Sequence, residues 1–496
     1  MATIINKIAT GGGLVLAGIL TGKVLNLLTH IFLTRTLSLK EYGIFALVYS
    51  FFMILSRVSL LGIPTGLMKF CSAYNARNEF LKTKNTIKTG FAIVLISTCI
   101  VSFVLLLFNK VIVYNFFKDP DLRFCLIAFT LFIPIFNQTR SFQAVIRAFK
   151  KMAHYAVLKE TLFPCLFLSL SVFFLTINNS LSSLIYAFGT ALIITFIINL
   201  IFISKLYKNL QGISQKSIFY RPLELLRFSL PVLFVGVSYL LLNQLSKIMI
   251  GFFQVSENVG IFNAAMNIGA MLVIFLNCID AVFAPYISEL HATQNISKLN
   301  RVFKTTTRWV FTLTLPLCFL CVIFSKNIMS IFGNEYISGY YVLIVLSIGY
   351  TINSITGSVA YILQMSGKQD IELFNMIIAV FINLLINYLL IPEFGIIGAA
   401  FATGFSIAVL NIIRLLEVFY FFRIQPYDFK YIKPLLAVVG STIIVFLLFN
   451  TPLFLNVFWI IKVMVFSLSY LALLSALKFE DEDRDLMAAI VKYRKM

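Results

Sequence analysis

The sequence contains few charged residues for its length. Only 12% of its 496 residues are charged, whereas 60% are hydrophobic and the mean hydropathy is +0.95. A soluble protein carries about twice that charged fraction, roughly 25%. One chain cannot hide so much apolar surface from water. The deficit therefore excludes a soluble globular protein and indicates that lipid is the solvent.

Acidic residues are the scarcer of the two charged kinds, with 20 Asp and Glu against 40 Lys and Arg. The resulting net charge of +20 is spread over short patches between apolar runs. No basic domain exists, which excludes nucleic-acid binding. The chain also lacks the GxxxxGK[ST] loop that cradles phosphates, which excludes an ATP-driven pump.

Cysteine is scattered rather than clustered. Among the seven Cys, Cys318 and Cys321 form a CxxC inside the apolar run TLPLCFLCVIF. Small packing residues are expected there rather than a redox or metal site, and we predict no metal and no cofactor. Met1–Thr10 carries one Lys and leads directly into a long apolar span, so we expect no cleavable signal.

Long apolar runs are what the sequence has in abundance. About fourteen runs of roughly 20 residues are each long enough to cross a hydrocarbon core of about 30 Å. Lipid offers the backbone no hydrogen-bond partner, so every span must be helical, which predicts an all-α polytopic membrane protein. The predicted spans are 11–34, 43–66, 89–109, 123–145, 155–177, 182–204, 228–250, 259–286, 307–331, 339–363, 371–391, 395–421, 434–450 and 456–477.

Basic residues are concentrated on one side of these spans. The loops after the even-numbered spans contain 22 Lys and Arg, whereas the opposite loops contain six. Because short cytoplasmic loops carry the excess of Lys and Arg, the even-numbered loops and both termini are predicted to be cytoplasmic. We expect a multi-pass protein of the plasma (inner) membrane.

One stretch of sequence occurs twice. Asn26–Phe45, NLLTHIFLTRTLSLKEYGIF, aligns without a gap with Asn243–Phe262, NQLSKIMIGFFQVSENVGIF. The two copies are 217 residues apart. Each copy is the end of one span, a polar turn and the start of the next, although chance is an alternative in a chain so rich in Leu, Ile and Phe. Six spans separate the copies, so both run the same way through the membrane. The repeat predicts two parallel, pseudo-symmetric six-helix lobes with a substrate site between them.

The repeat also predicts the domain organisation. The longest cytoplasmic connector, Lys205–Arg227, would join the lobes. We expect the final segment to be a solvated tail, with a surface helix on anionic lipid as the alternative. The predicted parts are an N-terminal lobe (1–210), a C-terminal lobe (211–425), two additional helices (426–478) and a cytoplasmic tail (479–496).

Cations predominate among the polar side chains inside the spans. Lys23 and Arg57 lie near mid-membrane depth in adjacent spans, and no acid lies at that depth in the first six spans. Charges at this depth face a cavity or a partner, so both are predicted to line an anion-binding cavity. Lys247 and His30, at equivalent positions of the repeat, are expected to join them, unless Lys247 extends to the headgroups. Arg and Lys suit phosphate because they donate charge-assisted hydrogen bonds without changing protonation state.

Other charged residues inside the spans have structural alternatives. Asp280 either takes part in coupling or pairs with Lys247 or Arg57. Arg140 either has such a role or extends to the headgroup layer. Arg414 and Glu417, three residues apart on one predicted helix, are expected to pair with each other.

Two glycines and a proline interrupt the second span. Gly62, Pro64 and Gly66 lie within five residues near its end. Pro and Gly break or kink helices. We therefore predict a break there that serves as a hinge.

Three segments of the sequence resemble a known family. They are TRTLSLKEYGIFAL after the first span, VIRAFKKMAHYAVLKE around Ala148, and NQLSKIMIGFFQVSENVGIFNAA at spans seven and eight. Together with the fourteen-span layout they resemble the polysaccharide-biosynthesis flippases of the Wzx type, which handle O-antigen and related lipid-linked oligosaccharides. Those flippases belong to the multidrug/oligosaccharidyl-lipid/polysaccharide exporter superfamily, and the likeness covers nearly the whole chain.

The resemblance implies two six-helix lobes around a central cavity with alternating access. It also implies that cationic side chains meet the substrate diphosphate, at positions that correspond to Lys23, Arg57 and Lys247. Members of the family often carry an acid just before this Lys, where the present chain has Ser246. The resemblance therefore does not extend to carboxylate-based ion coupling at that point.

The predicted function is transport rather than enzymatic catalysis. We expect a flippase that moves polyprenyl-diphosphate-linked oligosaccharide to the outer leaflet for cell-surface polysaccharide biosynthesis. Its expected partners are this anionic lipid-linked oligosaccharide, membrane lipid and other membrane proteins of polysaccharide assembly. A cation-coupled multidrug exporter of the same superfamily is the alternative, although it would be expected to hold an embedded acid in its first half.

Overall fold

A computed structural model describes residues 2–149, 151–208, 221–449 and 458–477. Within these ranges every regular element is a helix, which confirms the all-α prediction. The predicted tail, 479–496, and the middle of the predicted connector, 209–220, lie outside the described residues.

Short connections join the helices. In chain order the helices are α1 (Ala2–Thr36), α2 (Leu39–Ser59), α3 (Ile63–Ala76), α4 (Phe80–Lys110), α5 (Leu122–Ala148), α6 (Met152–Ala156), α7 (Leu162–Ile177), α8 (Leu181–Lys208), α9 (Pro222–Phe253), α10 (Ser256–Gly269), α11 (Ile274–Ala292), α12 (Ile296–Ile323), α13 (Ser325–Ser330), α14 (Tyr340–Ile355), α15 (Val359–Met365), α16 (Gln369–Phe422), α17 (Ile432–Phe449) and α18 (Trp459–Ala476). Five shorter helical segments lie between the described α-helices. Two are π-helical (Val111–Phe117 and Val157–Thr161) and three are 3-10 helical (Ala270–Val273, Asn334–Gly339 and Phe429–Tyr431).

Twelve helical segments of the described chain are long and apolar enough to cross a membrane. One of them, α16, is 54 residues long and contains Gly395 in a non-helical conformation (φ 58°, ψ −136°), so it holds the predicted spans 371–391 and 395–421. Helix α1 covers a further predicted span and is not one of the twelve. The chain is a multi-pass membrane protein, and the prediction of about fourteen spans agrees with these helices.

The structure divides into two compact units. Unit 1 comprises Met1–Asn267, Ile331–Gly339 and Met376–Ser406. Unit 2 comprises Ile268–Ser330, Tyr340–Asn375 and Ile407–Met496. Unit 1 therefore includes segments of the predicted C-terminal lobe. The lobe boundaries rest on the sequence repeat and stay a prediction.

Aromatic side chains form the centre of unit 1. The rings of Phe45, Phe52 and Phe188 lie 6.0, 5.2 and 4.8 Å from that of Phe129, centroid to centroid, within the range of favourable aromatic pairs. All four are buried, and they pack α2, α5 and α8 together. In unit 2 a separate apolar cluster joins α11, α12, α15 and the end of α16.

Local sequence determines where α2 begins and ends. Ser38 caps the helix: its Oγ accepts a hydrogen bond from the Glu41 backbone N–H, and the Glu41 carboxylate accepts one from the Ser38 N–H. The helix ends before Leu61 and Gly62, whose φ values of 51° and 69° are left-handed, and Pro64 lies in the first turn of α3. The predicted break is present, while motion about it stays a prediction.

The two copies of the repeat have the same local structure. In the first copy α1 ends at Thr36 and α2 begins at Leu39, and in the second α9 ends at Phe253 and α10 begins at Ser256. Both boundaries are therefore separated by the same 217 residues as the sequences. Agreement in register at both helix ends argues against a chance match.

Equivalent glycines of the repeat meet in unit 1. A Cβ added to Gly260 on α10 would lie 3.3 Å from the Cα of Gly43 on α2, and one added to Gly43 would overlap the carbonyl oxygen of Ser256. Small residues allow membrane helices to approach this closely. Helices α2 and α10 thus cross backbone to backbone.

This crossing predicts that Gly43→Ala destabilises the protein, because the added methyl group meets a carbonyl oxygen fixed in a neighbouring helix. We expect the free energy of unfolding to fall by about 1–3 kcal/mol or more, the usual cost of overpacking, in unfolding measurements on purified protein in detergent. Gly18→Ala is the matched control, since its Cβ would meet the Cβ of Ala156 at an ordinary 3.4 Å. Equal stability of the two variants would contradict the crossing.

Candidate functional site

A chain of buried hydrogen bonds links the two equivalent positions His30 and Lys247 in unit 1. Lys247 Nζ donates to Asn263 Oδ1 at 3.2 Å. Asn263 Nδ2 donates to the hydroxyl oxygen of Tyr42 at 2.9 Å, and that hydroxyl lies 3.0 Å from His30 Nδ1. The structure therefore brings together two predicted site residues through two side chains that the sequence analysis did not single out.

Donor and acceptor roles are fixed between Lys247 and Tyr42. An ammonium group only donates, so the amide oxygen of Asn263 must face Lys247 and its NH₂ group must face Tyr42. The Tyr42 hydroxyl accepts that bond, and the direction of its second bond, to His30 Nδ1, is set by the His30 tautomer. Lys247 thus lies at the donating end of this arrangement, and His30 lies at the other end.

Lys247 is buried within the protein. Its side chain is only 5% exposed and its ammonium ends on Asn263. Among the described residues of unit 1, no carboxylate lies within ion-pair distance of Lys247. No such carboxylate therefore neutralises the Lys247 side chain.

A second buried network surrounds the neighbouring Ser246. Its Oγ lies 2.7 Å from Thr403 Oγ1 and accepts a bond from Asn387 Nδ2 at 3.0 Å. The same Nδ2 lies 3.0 Å from Asn383 Oδ1. All four residues are at most 3% exposed, and each is neutral, so the network contains no carboxylate beside Lys247.

Arg57 lies on α2 against the backbone of α9. A Cβ added to Gly236 would overlap Arg57 Nη2 and would lie 2.5 Å from Arg57 Nε. That Nε is buried without a hydrogen-bond partner among the described residues. No acid among the described residues of unit 1 lies within ion-pair distance of the Arg57 guanidinium. The guanidinium therefore keeps its charge and has an unused donor.

Arg140 lies close enough to Arg57 for the two guanidinium groups to repel each other. It stacks on its own helix, with Cζ 4.5 Å from the centre of the Phe136 ring, and the charge of Glu160 also acts on it. Three residues before Arg140 on α5, Asn137 Nδ2 donates to the carbonyl oxygen of Ser56 at 2.9 Å. This bond ties α5 to α2 beside both arginines.

Lys23 differs from the other predicted cations because its side chain is exposed. It makes no hydrogen bond or ion pair with any side chain that the structure describes. The adjacent Gly22 packs on the backbone of Glu160, which fixes the position of α1 here. The structure does not join Lys23 to Arg57, and its role stays a prediction.

The predicted hinge packs against α9 as well. A Cβ added to Gly62 would overlap the carbonyl oxygen of Ser229, and one added to Gly66 would overlap its Oγ and lie 2.7 Å from Leu225 Cδ1. Both glycines are thus required by close packing. Their role in movement stays a prediction, as does that of Pro64.

One predicted ion pair is wrong. Arg414 does not pair with Glu417 but with Glu372, to which Nε and Nη2 both donate, Nε at 2.9 Å. Glu417 instead accepts a bond from Asn375. The fold brings the start of α16 beside its end, so a residue 42 positions away offers a two-point contact that the nearer Glu417 does not make.

Asp280 lies buried in unit 2, at 7% exposure. Its polar neighbours are Ser358 and Arg414, and one carboxylate oxygen has no hydrogen-bond partner among the described residues. Lys247 and Arg57 belong to unit 1. The expected pairing of Asp280 with either of them stays a prediction.

The arrangement in unit 1 can attract an anion. Two groups of interior cations, Lys247 and the pair Arg57 and Arg140, are held by neutral or aromatic partners. Tyr42 and Asn263, which the sequence analysis missed, lie in the quoted segments KEYGIF and GIFNAA. The repeat does not point to them, because their equivalents in the other copy, Val259 and Ala46, cannot form hydrogen bonds.

Comparison with known proteins gives matches to sequence and to structure. Residues 8–291 match the family described as polysaccharide biosynthesis protein, and residues 231–389 match the MatE family. The structure is similar to that of the lipid II flippase MurJ in an inward closed conformation, with a TM-score of 0.76, covering 95% of this chain and 99% of that one. At 15% identity, this likeness concerns the fold alone.

Two curated relatives come from Haloferax volcanii. The probable low-salt glycan biosynthesis flippase Agl15 is 28% identical over 203 residues, which is 41% of this chain and 42% of that protein. The probable flippase AglR is 28% identical over 174 residues, 34% of this chain and 37% of that protein. The matches thus span about two fifths of the length of these relatives.

The hydrogen-bonded chain predicts that Tyr42→Phe lowers the free energy of unfolding by about 1–3 kcal/mol, because it leaves His30 Nδ1 and one Asn263 donor buried without a partner. Unfolding in detergent measures the change. Tyr186→Phe is the control, since Tyr186 is 55% exposed and its hydroxyl makes no bond to the described side chains. An unchanged stability for Tyr42→Phe would show that the chain is not formed.

Proposed function

Since the chain belongs to the polysaccharide biosynthesis protein family, we propose that it is a flippase for a polyprenyl-diphosphate-linked oligosaccharide. It moves this lipid from the cytoplasmic to the outer leaflet of the plasma (inner) membrane by alternating access. Both termini lie in the cytoplasm. No covalent bond is made or broken, so the protein is a transporter and not an enzyme.

The observation that supports this proposal is the presence of Lys247 and Arg57 inside unit 1, with no acid among that unit's described residues within ion-pair distance of either. Lys247 is buried on an amide oxygen, and Arg57 retains an unused donor. Moving a diphosphate through hydrocarbon is costly because its charge is desolvated. Guanidinium and ammonium groups at intermediate depth lower that cost by replacing hydration with charge-assisted hydrogen bonds.

In the proposed cycle, Arg57 and Arg140 receive the diphosphate first, because they lie nearer the cytoplasmic ends of the predicted spans. Lys247, near the outer end of its span, takes it next. The polyprenyl tail stays in the bilayer throughout. Weak, stepwise attraction suits release on the far side, since a site that binds too tightly would hold its cargo.

A cation-coupled drug exporter is the competing function, and the match of residues 231–389 to the MatE family is the observation in its favour. Such an exporter needs a membrane-embedded carboxylate at its site. The neutral network around Ser246 favours an anionic cargo instead.

The proposal predicts that Arg57→Ala and Lys23→Ala each lower glycan export more than about tenfold. At Arg57, whose Nε is buried, losing one partner of a desolvated charged hydrogen bond to the substrate costs about 2–5 kcal/mol. The exposed Lys23 would meet the diphosphate only when substrate is bound. Export is measured as surface glycan in cells, with protein abundance determined in the same cells. Arg123→Ala is the control and should export normally, because Arg123 is an exposed arginine at the start of the predicted span 123–145. Normal export by both Arg57→Ala and Lys23→Ala would contradict the assignment of these residues to the anion-binding cavity.

Gly236→Ala tests Arg57 without changing it. The new methyl group would occupy the place of the Arg57 guanidinium, which is the flexible end of a side chain and can move aside. We expect wild-type stability with reduced transport of a polyprenyl-diphosphate oligosaccharide in reconstituted vesicles. Gly18→Ala makes the same substitution in a helix with room for it and should leave transport intact. Equal transport by the two variants would argue that the position of Arg57 is unimportant.

A further inference from the structure

Two adjoining cavities in unit 2 lie beside the first turns of α12. The larger is a groove of about 690 Å³ lined by two apolar residues, Val302 and Trp309, and by five polar or basic ones. It shares Arg301 and Thr305 with the smaller cavity. No residue of the candidate transport site lines either one. The smaller cavity, of about 60 Å³, is named the α12 pocket and is lined by Arg301, Lys304, Thr305, Arg308, Asp428 and Lys430.

Positive charge predominates in the α12 pocket. Four of its six residues are cations and one, Asp428, is an acid. Asp428 already accepts a hydrogen bond from the backbone N–H of Lys430 at 3.0 Å. Arg308 is only 5% exposed, so part of the positive charge is shielded from the solvent ions that would screen it. The pocket therefore favours an anion.

Helix spacing and packing create this concentration of charge. Arg301, Lys304 and Arg308 recur at intervals of three and four residues and so share one face of α12. The segment Phe429–Tyr431, which precedes α17, packs against α12. It contributes Lys430 to the pocket. The cations thus come from two parts of the chain, α12 and the segment before α17. An anion bound between these parts would offset the repulsion among the cations.

The size of the pocket indicates a single phosphate group. Its volume is about 60 Å³, against about 690 Å³ for the adjoining groove, so it accommodates only a compact anionic group. A diphosphate carrying sugars needs more space. Arg and Lys are also the side chains that bind phosphate with charge-assisted hydrogen bonds.

The surroundings of the pocket indicate a lipid as the source of that phosphate. Trp309 lines the adjoining groove, and Phe429, next to Lys430, is 90% exposed. Exposed aromatic residues beside basic ones are typical of the membrane–water interface. Arg301, Lys304 and Phe429 lie in predicted cytoplasmic loops, and Trp309 lies at the start of the adjoining predicted span. This placement agrees with a lipid ligand, since basic pockets between helices on that side bind anionic headgroups.

We propose that the α12 pocket binds the phosphate of an anionic glycerophospholipid from the cytoplasmic leaflet. The rest of the lipid lies in the groove past Val302 and Trp309. Phosphatidylglycerol is a suitable ligand, whereas the cationic choline of phosphatidylcholine would be repelled. The proposal does not depend on which substrate the protein transports.

Native mass spectrometry of the purified full-length protein in detergent tests this proposal by titration with phosphatidylglycerol and with phosphatidylcholine. The double variant Arg301→Gln/Lys304→Gln removes two pocket cations and leaves the buried Arg308 in place. It should bind phosphatidylglycerol about 30-fold more weakly, at about 1 kcal/mol for each basic residue. Lys82→Gln/Lys88→Gln is the matched control: both lysines are exposed, the charge loss is equal, and wild-type affinity is expected.

Several outcomes would overturn the proposal. Equal phosphatidylglycerol affinity for the two double variants would place the lipid elsewhere, and equally tight binding of phosphatidylcholine would remove the need for an anion. Displacement by millimolar inorganic phosphate would identify a soluble anion as the ligand. Stronger binding of a polyprenyl diphosphate that is lost in Arg301→Gln/Lys304→Gln would make the pocket a substrate-docking site. Loss of glycan export alone bears on the proposed function and leaves these binding results unaffected.

Discussion

The close approach of α2 and α10 at Gly43 and Gly260 is the contact on which the rest of unit 1 depends. Tyr42 adjoins the first glycine and Asn263 follows the second by less than one turn, so their hydrogen bond requires the helices to touch. No hydrophobic force draws helices together in lipid, where close packing and interhelical hydrogen bonds must do so. A larger residue at either glycine would therefore remove both sources of association together.

The interior cations of unit 1 are stabilised without being neutralised. Lys247 ends on an amide oxygen, Arg57 lies against bare backbone at Gly236, and Arg140 lies over an aromatic ring. Such partners offset part of the desolvation cost and leave the charge available. Unit 2 shows the contrast, because Arg414 is fully engaged by a carboxylate. A charge held in that way is structural, whereas the charges in unit 1 suit the proposed passage of an anion.

The sequence indicated individual site residues better than it indicated their partners. It selected His30 and Lys247 as equivalent positions, and the structure links them. It paired Arg414 with Glu417 because the two lie on one helix, but the true partner, Glu372, is 42 residues away. Tyr42 and Asn263 escaped notice because a tyrosine and an asparagine at the end of a span have no special meaning until another helix is beside them.

Composition and periodicity determined the secondary structure, the approximate number of spans and the register of the repeat. They could do so because hydrocarbon offers the backbone no partner outside its own helix, so every long apolar run must be a helix. Which helices meet was decided by tertiary structure alone. Lipid solvates every face of an apolar helix equally well, so it does not select which face packs against another helix. The contacts instead depend on glycines that leave space, on the breaks at Gly62 and Gly395, and on polar side chains that meet across that space.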